Sequence, residues 1–334
     1  MGCLAICTQI SLLIVQSDSE YESDSDSETY VFFKDRPQWA DVKPLEQDDG
    51  PDPVVAILYA DEFKDKMNYF RAIVQLDERS QRAFDLTTEV IKANPANYHA
   101  WHFRRLVMDA LNLDYQPELA FTHRLAEANP KNYQIWHHRR VVAEKIRSPS
   151  NELEFTATQL DHDAKNYHAW THRHWVVEAF GLWDGQLDYS ALLLQRDVRN
   201  NSAWNYRYWI LSKTNGLDSL AKIDEQLAFA FALIRKAPNN ESAWNFVRGV
   251  ASSRRFGDTP SIEAFCTDLS KSPVHYPYCL GLQVEIQEEK ALAGNRDALL
   301  ELEKLCDKLG NEVDTIRAKY WNYRKVTVRE RCPQ

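Results

Sequence analysis

Large apolar residues return along this chain at a period too long for one helix and too regular for an unordered sequence. Tryptophans stand at positions 101, 136, 170, 204 and 244, spaced 35, 34, 34 and 40 residues apart. A period near 34 is the length of one helix-turn-helix unit. The polar positions keep the same phase. Asn97, Asn132, Asn166, Asn200 and Asn240 each precede a tryptophan by four residues. A basic pair or its remnant begins three residues after each tryptophan: Arg104-Arg105, Arg139-Arg140, Arg173-His174, Arg207-Tyr208 and Val247-Arg248. Asparagine is a favoured helix N-cap because its side-chain oxygen accepts an otherwise orphaned first-turn amide, so a helix is expected to start at each of the five. Counted from that cap, tryptophan is the fourth helical residue and the arginine lies one turn further on the same face. Ala100, Ile135, Ala169, Ala203 and Ala243 precede the tryptophans, and the four alanines allow close approach of a neighbouring helix. Pro95, Pro130 and Pro238, two residues before a cap, end the preceding helix.

Outside this array the pattern changes twice. Residues 1–30 combine an apolar run from Leu4 to Val15 with the acidic stretch from Ser17 to Glu28. The run lacks a basic flank and is too short to span a bilayer. The acidic stretch has nothing to bury and is expected to be a disordered, solvating tail whose serines suit an acid-directed kinase. Residues 31–60 carry Pro37, Pro44, Pro51 and Pro53 among Trp39, Val54, Val55, Ile57 and Leu58, which reads as an extended arm whose apolar residues must pack on something. Residues 61–330 form the helical array, with motifs near 95–105, 130–140, 164–174, 198–208 and 238–248 and a degenerate last third. There, 271–277 reads as a break, and helices are expected over 278–292, 296–309 and 313–328, the last with Trp321 and Arg324 at motif-like spacing.

Composition supports an all-α chain. Its 44% apolar and 12% aromatic content is enough for a long core, and 10 Gly with 13 Pro are too few for many tight β-turns. Forty basic against 49 acidic residues give a net charge of -9, which argues against a nucleic-acid binder relying on bulk electrostatics. The six cysteines show neither paired spacing nor a CxxC unit, so the chain reads as cytoplasmic, with no disulfide framework and no zinc cluster. Gly2 suggests myristoylation, but Ile6 occupies the position where Ser or Thr is wanted. The ending Cys332-Pro333-Gln334 is one residue short of a prenylation box. No stable membrane insertion is expected.

Candidate chemistry is sparse. His168 and His172 have the four-residue spacing of a helical metal pair, yet no third ligand sits at a suitable offset, so they read as polar or interface residues and no metal is assigned to this chain. Lys165 directly precedes the Asn166 cap, where a helix N-terminus favours an anion. Lys131 occupies the same register one repeat earlier and is read as a solvated loop lysine.

The repeated Asn-Tyr-x-x-Trp-x-x-Arg-Arg unit resembles the repeat of protein prenyltransferase α subunits, in particular the branch serving farnesyltransferase and type I geranylgeranyltransferase. The likeness extends to residues 35–42 (DRPQWADV), to Tyr69-Phe70-Arg71-Ala72 with Asp77-Glu78-Arg79-Ser80, to residues 163–170 (DAKNYHAW), and to Asp314-Thr315-Ile316-Arg317 with Tyr320-Trp321. It covers nearly everything after residue 30.

The resemblance implies an α-α superhelix, a crescent-shaped, tetratricopeptide-like solenoid wrapped around a β subunit that holds the zinc. It further implies transfer of a farnesyl or geranylgeranyl group from its diphosphate to the cysteine of CaaX proteins such as small GTPases, with magnesium used in farnesyl transfer. Lys165 matches the family lysine beside the diphosphate, and Tyr167 is expected to lend its hydroxyl. Arg173, Asn200 and Trp204 match positions implicated in activity or subunit contact, though each also has a structural reading within the motif. Tyr133 and His168 are read as lining the cleft. Two alternatives remain at this point: a Rab geranylgeranyltransferase α subunit, although no leucine-rich pattern follows residue 250, and a non-catalytic helical-repeat scaffold.

Overall fold

The computed structural model describes residues 30–55, 57–149, 151–252 and 254–332. The acidic tail and apolar leader, and the expectations attached to residues 1–29, lie outside the described residues. The described residues form helices and turns with no strand, dividing into two compact units, one ending at Leu113 and the other starting at Asp114.

In the first unit, helices α1 (Asp61–Gln75), α2 (Gln81–Ala93) and α3 (Tyr98–Leu111) follow the arm. Asp61 and Glu62 place negative charge in the first turn of α1, where the helix dipole favours it. Ser80 caps α2 by accepting the Ala83 amide, and Asn97 caps α3 by accepting that of Ala100. The front of the arm winds into two 3-10 turns, Phe33–Asp35 and Pro37–Trp39. They bury Phe33 and Trp39 against Tyr69 of α1, with ring centroids 5.0 and 5.6 Å away. Asp65 anchors this turn by accepting the Tyr30 hydroxyl and the Phe33 amide, each at 2.9 Å. At the rear of the arm Val54, Val55, Ile57 and Leu58 are exposed. Pro51 and Pro53 keep this stretch out of helix, and no other described residue covers it.

The second unit is a run of hairpins: α4 (Gln116–Ala128) with α5 (Tyr133–Ile146), α6 (Glu152–His162) with α7 (Tyr167–Phe180), α8 (Gln186–Arg196) with α9 (Asn201–Lys213), and α10 (Leu220–Lys236) with α11 (Glu241–Ala251). Then come α12 (Pro260–Leu269), α13 (Pro277–Leu292), α14 (Arg296–Lys308) and α15 (Ala318–Arg331). Successive second helices touch, α5 on α7, α9 on α11 and α11 on α13, and Ala169, Ala203 and Ala243 on these helices are fully buried. The closing helix starts at Ala318, five residues later than its apolar pattern predicts. Asp314 interrupts it, because its carboxylate accepts the Trp321 indole N–H at 2.8 Å. Trp321 then packs with Leu280, Val284, Leu302 and Leu309 in the terminal core. Among the described residues no helix is long and apolar enough to cross a membrane.

Candidate functional site

Each motif residue has a defined partner, and these bonds build the frame around the site. Asn166 uses both ends of its amide. Its Oδ1 accepts the His168 and Ala169 amides of its own helix, and its Nδ2 donates to the Pro130 carbonyl of the preceding hairpin at 3.0 Å. Asn200 repeats this on the Ala164 carbonyl (3.3 Å) and Asn240 on that of Val198 (2.7 Å). The same carbonyls accept the indole N–H of their own tryptophans, Trp136 on Pro130 (2.9 Å), Trp170 on Ala164 (3.0 Å) and Trp204 on Val198 (2.8 Å). Asn240 departs from expectation, making no side-chain cap and only the backward bond.

The arginines form buried joints between hairpins. Arg139 donates to the Leu119 carbonyl of its own hairpin (2.9 Å) and, through Nε and Nη2, bidentately to Glu152 of the next (2.9 and 2.7 Å). His172 meets the same carboxylate at 2.6 Å. One repeat later the acceptor is a neutral amide: Arg173 and Tyr206 both donate to Gln186 Oε1, at 2.8 and 2.7 Å. The Gln186 amide nitrogen is committed to the Leu182 carbonyl, so Arg173 Nε, which a second carboxylate oxygen would satisfy, is buried without a partner. Arg207 bonds Gln226 at 3.0 and 2.7 Å in the following joint, and burial pushes its guanidinium down to about 10. In the fifth repeat Val247 replaces the arginine and is buried as an apolar residue, and Arg248 instead pairs with Glu285 of α13 at 2.9 Å.

Where the loops before α5 and α7 come together they enclose an open cavity of about 510 Å³, lined by Lys131, Tyr133, Asp163, Lys165, Tyr167 and His168, with Asn166 at its base. Four sequence-predicted residues, Lys165, Tyr167, Tyr133 and His168, therefore meet in one place. The Lys165 loop is pinned from several sides: Asp163 Oδ1 accepts the Lys165 amide at 3.0 Å, the Asp163 carbonyl accepts the Asn166 amide at 2.9 Å, and Trp170 and Asn200 hold the Ala164 carbonyl. Lys165 itself is exposed and makes no ion pair among the described residues. His168 stands edge-on to Tyr133, centroids 4.3 Å apart, and burial holds its ring below the ordinary histidine value against a hydrogen bond to the Lys131 backbone.

Arg173, Asn200 and Trp204 do not line the cavity. All three are buried, Arg173 and Trp204 in the packing and Asn200 behind the Lys165 loop. Lys131 is a solvated loop lysine, as expected, but it also lines the same cavity and meets Asp163 Oδ2 at 3.4 Å. The first-turn amides of His168 and Ala169 are taken by the cap, so the positive charge offered to an anion is chiefly the Lys165 ammonium. The histidines separate as well: His172 is enclosed against Glu152 while His168 faces the cavity, and among the described residues no three His, Cys, Asp or Glu side chains converge as metal ligands. Sequence reasoning missed Glu118, which meets His138 at 2.8 Å, and Glu152, Gln186 and Gln226, the acceptors of the joints. Their spacing of 34, 34 and 40 follows that of the tryptophans, and that shared period was the available signal.

The fold and its joints define a tandem helical-hairpin protein whose unit carries a capping asparagine, a packing tryptophan and a bridging arginine. The family model for the protein prenyltransferase alpha subunit repeat matches residues 80–111, 115–146, 149–180, 183–214 and 223–254, one match for each hairpin from α2–α3 to α10–α11. The chain belongs to this family. It is similar to the protein farnesyltransferase/geranylgeranyltransferase type-1 subunit alpha of Solanum lycopersicum, at 55% identity over 100 residues, 30% of this chain and 29% of that protein. The Dictyostelium discoideum protein of the same name is 54% identical over 92 residues, 28% and 29% of the two chains. The aligned part thus spans under a third of each relative's length. A chain in the solved structure of Candida albicans protein geranylgeranyltransferase-I complexed with GGPP superposes with a TM-score of 0.77 at 26% identity, covering 90% of this chain and 99% of that one.

Proposed function

We propose that this chain is the α subunit of a heterodimeric protein prenyltransferase of the farnesyltransferase/geranylgeranyltransferase type I kind. It acts in the cytoplasm, scaffolding a zinc-binding β subunit and attaching a farnesyl or geranylgeranyl group to the cysteine of C-terminal CaaX proteins. The observation that carries the reading is Lys165, a cation with no ion pair among the described residues, on a loop fixed by four hydrogen bonds and flanked by Tyr133, Tyr167 and His168 in one cavity. The buried free thiols Cys266, Cys279 and Cys306 support a reducing compartment.

In the reaction, the acceptor sulfur forms a bond to C1 of the prenyl diphosphate as the C1–oxygen bond breaks and diphosphate departs. Negative charge grows on the bridging oxygen, and a cation already in place stabilises that charge without reorganising. Lys165 is that cation, and the Tyr167 hydroxyl is the neighbouring donor. Zinc, which would lower the thiol pKa, is assigned to the β subunit from the family likeness, and magnesium in farnesyl transfer to the diphosphate. Coexpression with a zinc-binding β subunit should yield a heterodimer that prenylates a CaaX peptide, with neither chain active alone. Failure to form that heterodimer would remove the reading. An active heterodimer indifferent to Lys165→Ala would reduce this chain to a scaffold.

A further inference from the structure

Lys131 and Lys165 occupy the same register, each one residue before a capping asparagine, and each is followed 32 residues later by an aspartate, Asp163 and Asp197. Both aspartates make the same turn: Asp163 Oδ1 accepts the Lys165 amide at 3.0 Å and Asp197 Oδ1 accepts the Arg199 amide at 2.8 Å. Their second oxygens differ. Asp163 Oδ2 takes the Lys131 ammonium at 3.4 Å, whereas among the described residues neither Lys165 nor Asp197 enters an ion pair. A geometry that the repeat offers twice is therefore used at the first lysine and left open at the second.

The consequence is electrostatic. Asp163 lines the cavity between the two lysines, and its carboxylate is 38% exposed there. An uncompensated carboxylate in that place opposes a polyanion and competes with it for Lys165 on the same cavity wall. Resting on the reading above, we propose that Lys131 is a positioning residue for diphosphate departure: it neutralises Asp163, so that Asp163 fixes the Lys165 backbone without capturing the Lys165 ammonium or repelling the leaving group. Lys131 acts through Asp163 and needs no contact with substrate.

A double-mutant cycle in the assembled heterodimer tests this, with single-turnover transfer from farnesyl or geranylgeranyl diphosphate as the readout and melting curves to confirm the fold. Asparagine keeps the turn while removing the charge, as Asn94 shows by accepting the Ala96 amide at 3.1 Å in the equivalent loop. Lys131→Ala should slow transfer about tenfold when residue 163 is aspartate, and less than about twofold when it is Asn through Asp163→Asn. Equal loss in both backgrounds overturns the proposal in favour of direct substrate contact. No loss in either, with Lys165→Ala still about a hundredfold slow, overturns it while leaving the proposed function intact. Indifference to all three substitutions, Lys165→Ala included, removes the role given to this cavity altogether.

Discussion

Between the second and third repeats the chain joins a basic side chain to a carboxylate twice, in two settings. In the buried joint Arg139 and Glu152 are 3% and 0% exposed and share two hydrogen bonds. In the loop cavity Lys131 and Asp163 are 75% and 38% exposed and lie 3.4 Å apart. Burial separates their roles. A desolvated pair cannot lose a partner without stranding a charge, so it holds helices together. A solvated pair contributes little to stability and keeps its charges within reach of a ligand. One repeat can thus carry rigidity in its interior and chemistry in its loop, and each can be tested with little disturbance to the other.

The largest effect should come from the interior. Arg139→Ala leaves Glu152 buried with only His172 and should cost about 3–5 kcal/mol, lowering Tm by roughly 10 °C. A thermal scan showing a shift of only a degree or two would erase the distinction between the two settings. Lys165→Ala should do the reverse, slowing single-turnover prenyl transfer by about a hundredfold, close to 2.7 kcal/mol, with Tm unchanged. If Tm fell along with the rate, Lys165 would belong to the frame.

Smaller effects sharpen the picture. Gln186→Glu would give Arg173 Nε its missing acceptor and the guanidinium a counter-ion, converting the arginine–amide joint into a copy of the arginine–carboxylate one. It should stabilise the fold by about 1 kcal/mol, and denaturant unfolding that shows destabilisation would mean the arginine–amide joint is already the better one. pH separates the joints again. Burial holds the His172 ring below its ordinary 6.5, with Glu152 opposing that shift. For Glu152, burial pushes the carboxyl up, but the bonds from His172 and Arg139 outweigh it and keep it low. Both groups bind fewer protons folded than unfolded, so stability should decline as pH falls below about 6.5 and further near the carboxylate range. His172→Gln should flatten the upper part of that decline, though only partly, because His168 and His174 are also pushed down by burial. Identical Tm–pH slopes in wild type and variant would assign the effect to those other histidines. The smallest change is expected at Lys131→Ala, whose Tm should stay within the equivalent of ~0.5 kcal/mol. A larger drop would show that the exposed pair also serves the frame.

What the sequence disclosed follows from which interactions are local. The caps at Asn97, Asn132, Asn166 and Asn200 were legible because cap and amide lie within three residues of each other. Helix ends before Pro95, Pro130 and Pro238 were legible for the same reason. Asn240 escaped because its backward bond, 42 residues away, has no local trace. The Lys131–Asp163 pair escaped because two solvated residues 32 apart leave no hydrophobic mark. Lys165 was found through family likeness and its place before a cap. The loop bonds that leave its ammonium exposed, and the burial of Arg173, Asn200 and Trp204, needed coordinates. What Val54, Val55, Ile57 and Leu58 pack on was not legible, because apolar character alone does not say which surface will cover it.

The carbonyls of Pro130, Ala164 and Val198 each receive two donors, a tryptophan from their own repeat and an asparagine from the next. Because the acceptor is main chain, the message passed between neighbours is written on one side only. The donors must be asparagine and tryptophan, whereas the residue that receives them is a proline, an alanine and a valine in turn. Each unit can therefore dock onto a predecessor whose spelling at that point is free. A further copy spliced in at the same phase, such as the 34 residues 149–182 placed after themselves, would find its docking bonds ready made at both ends.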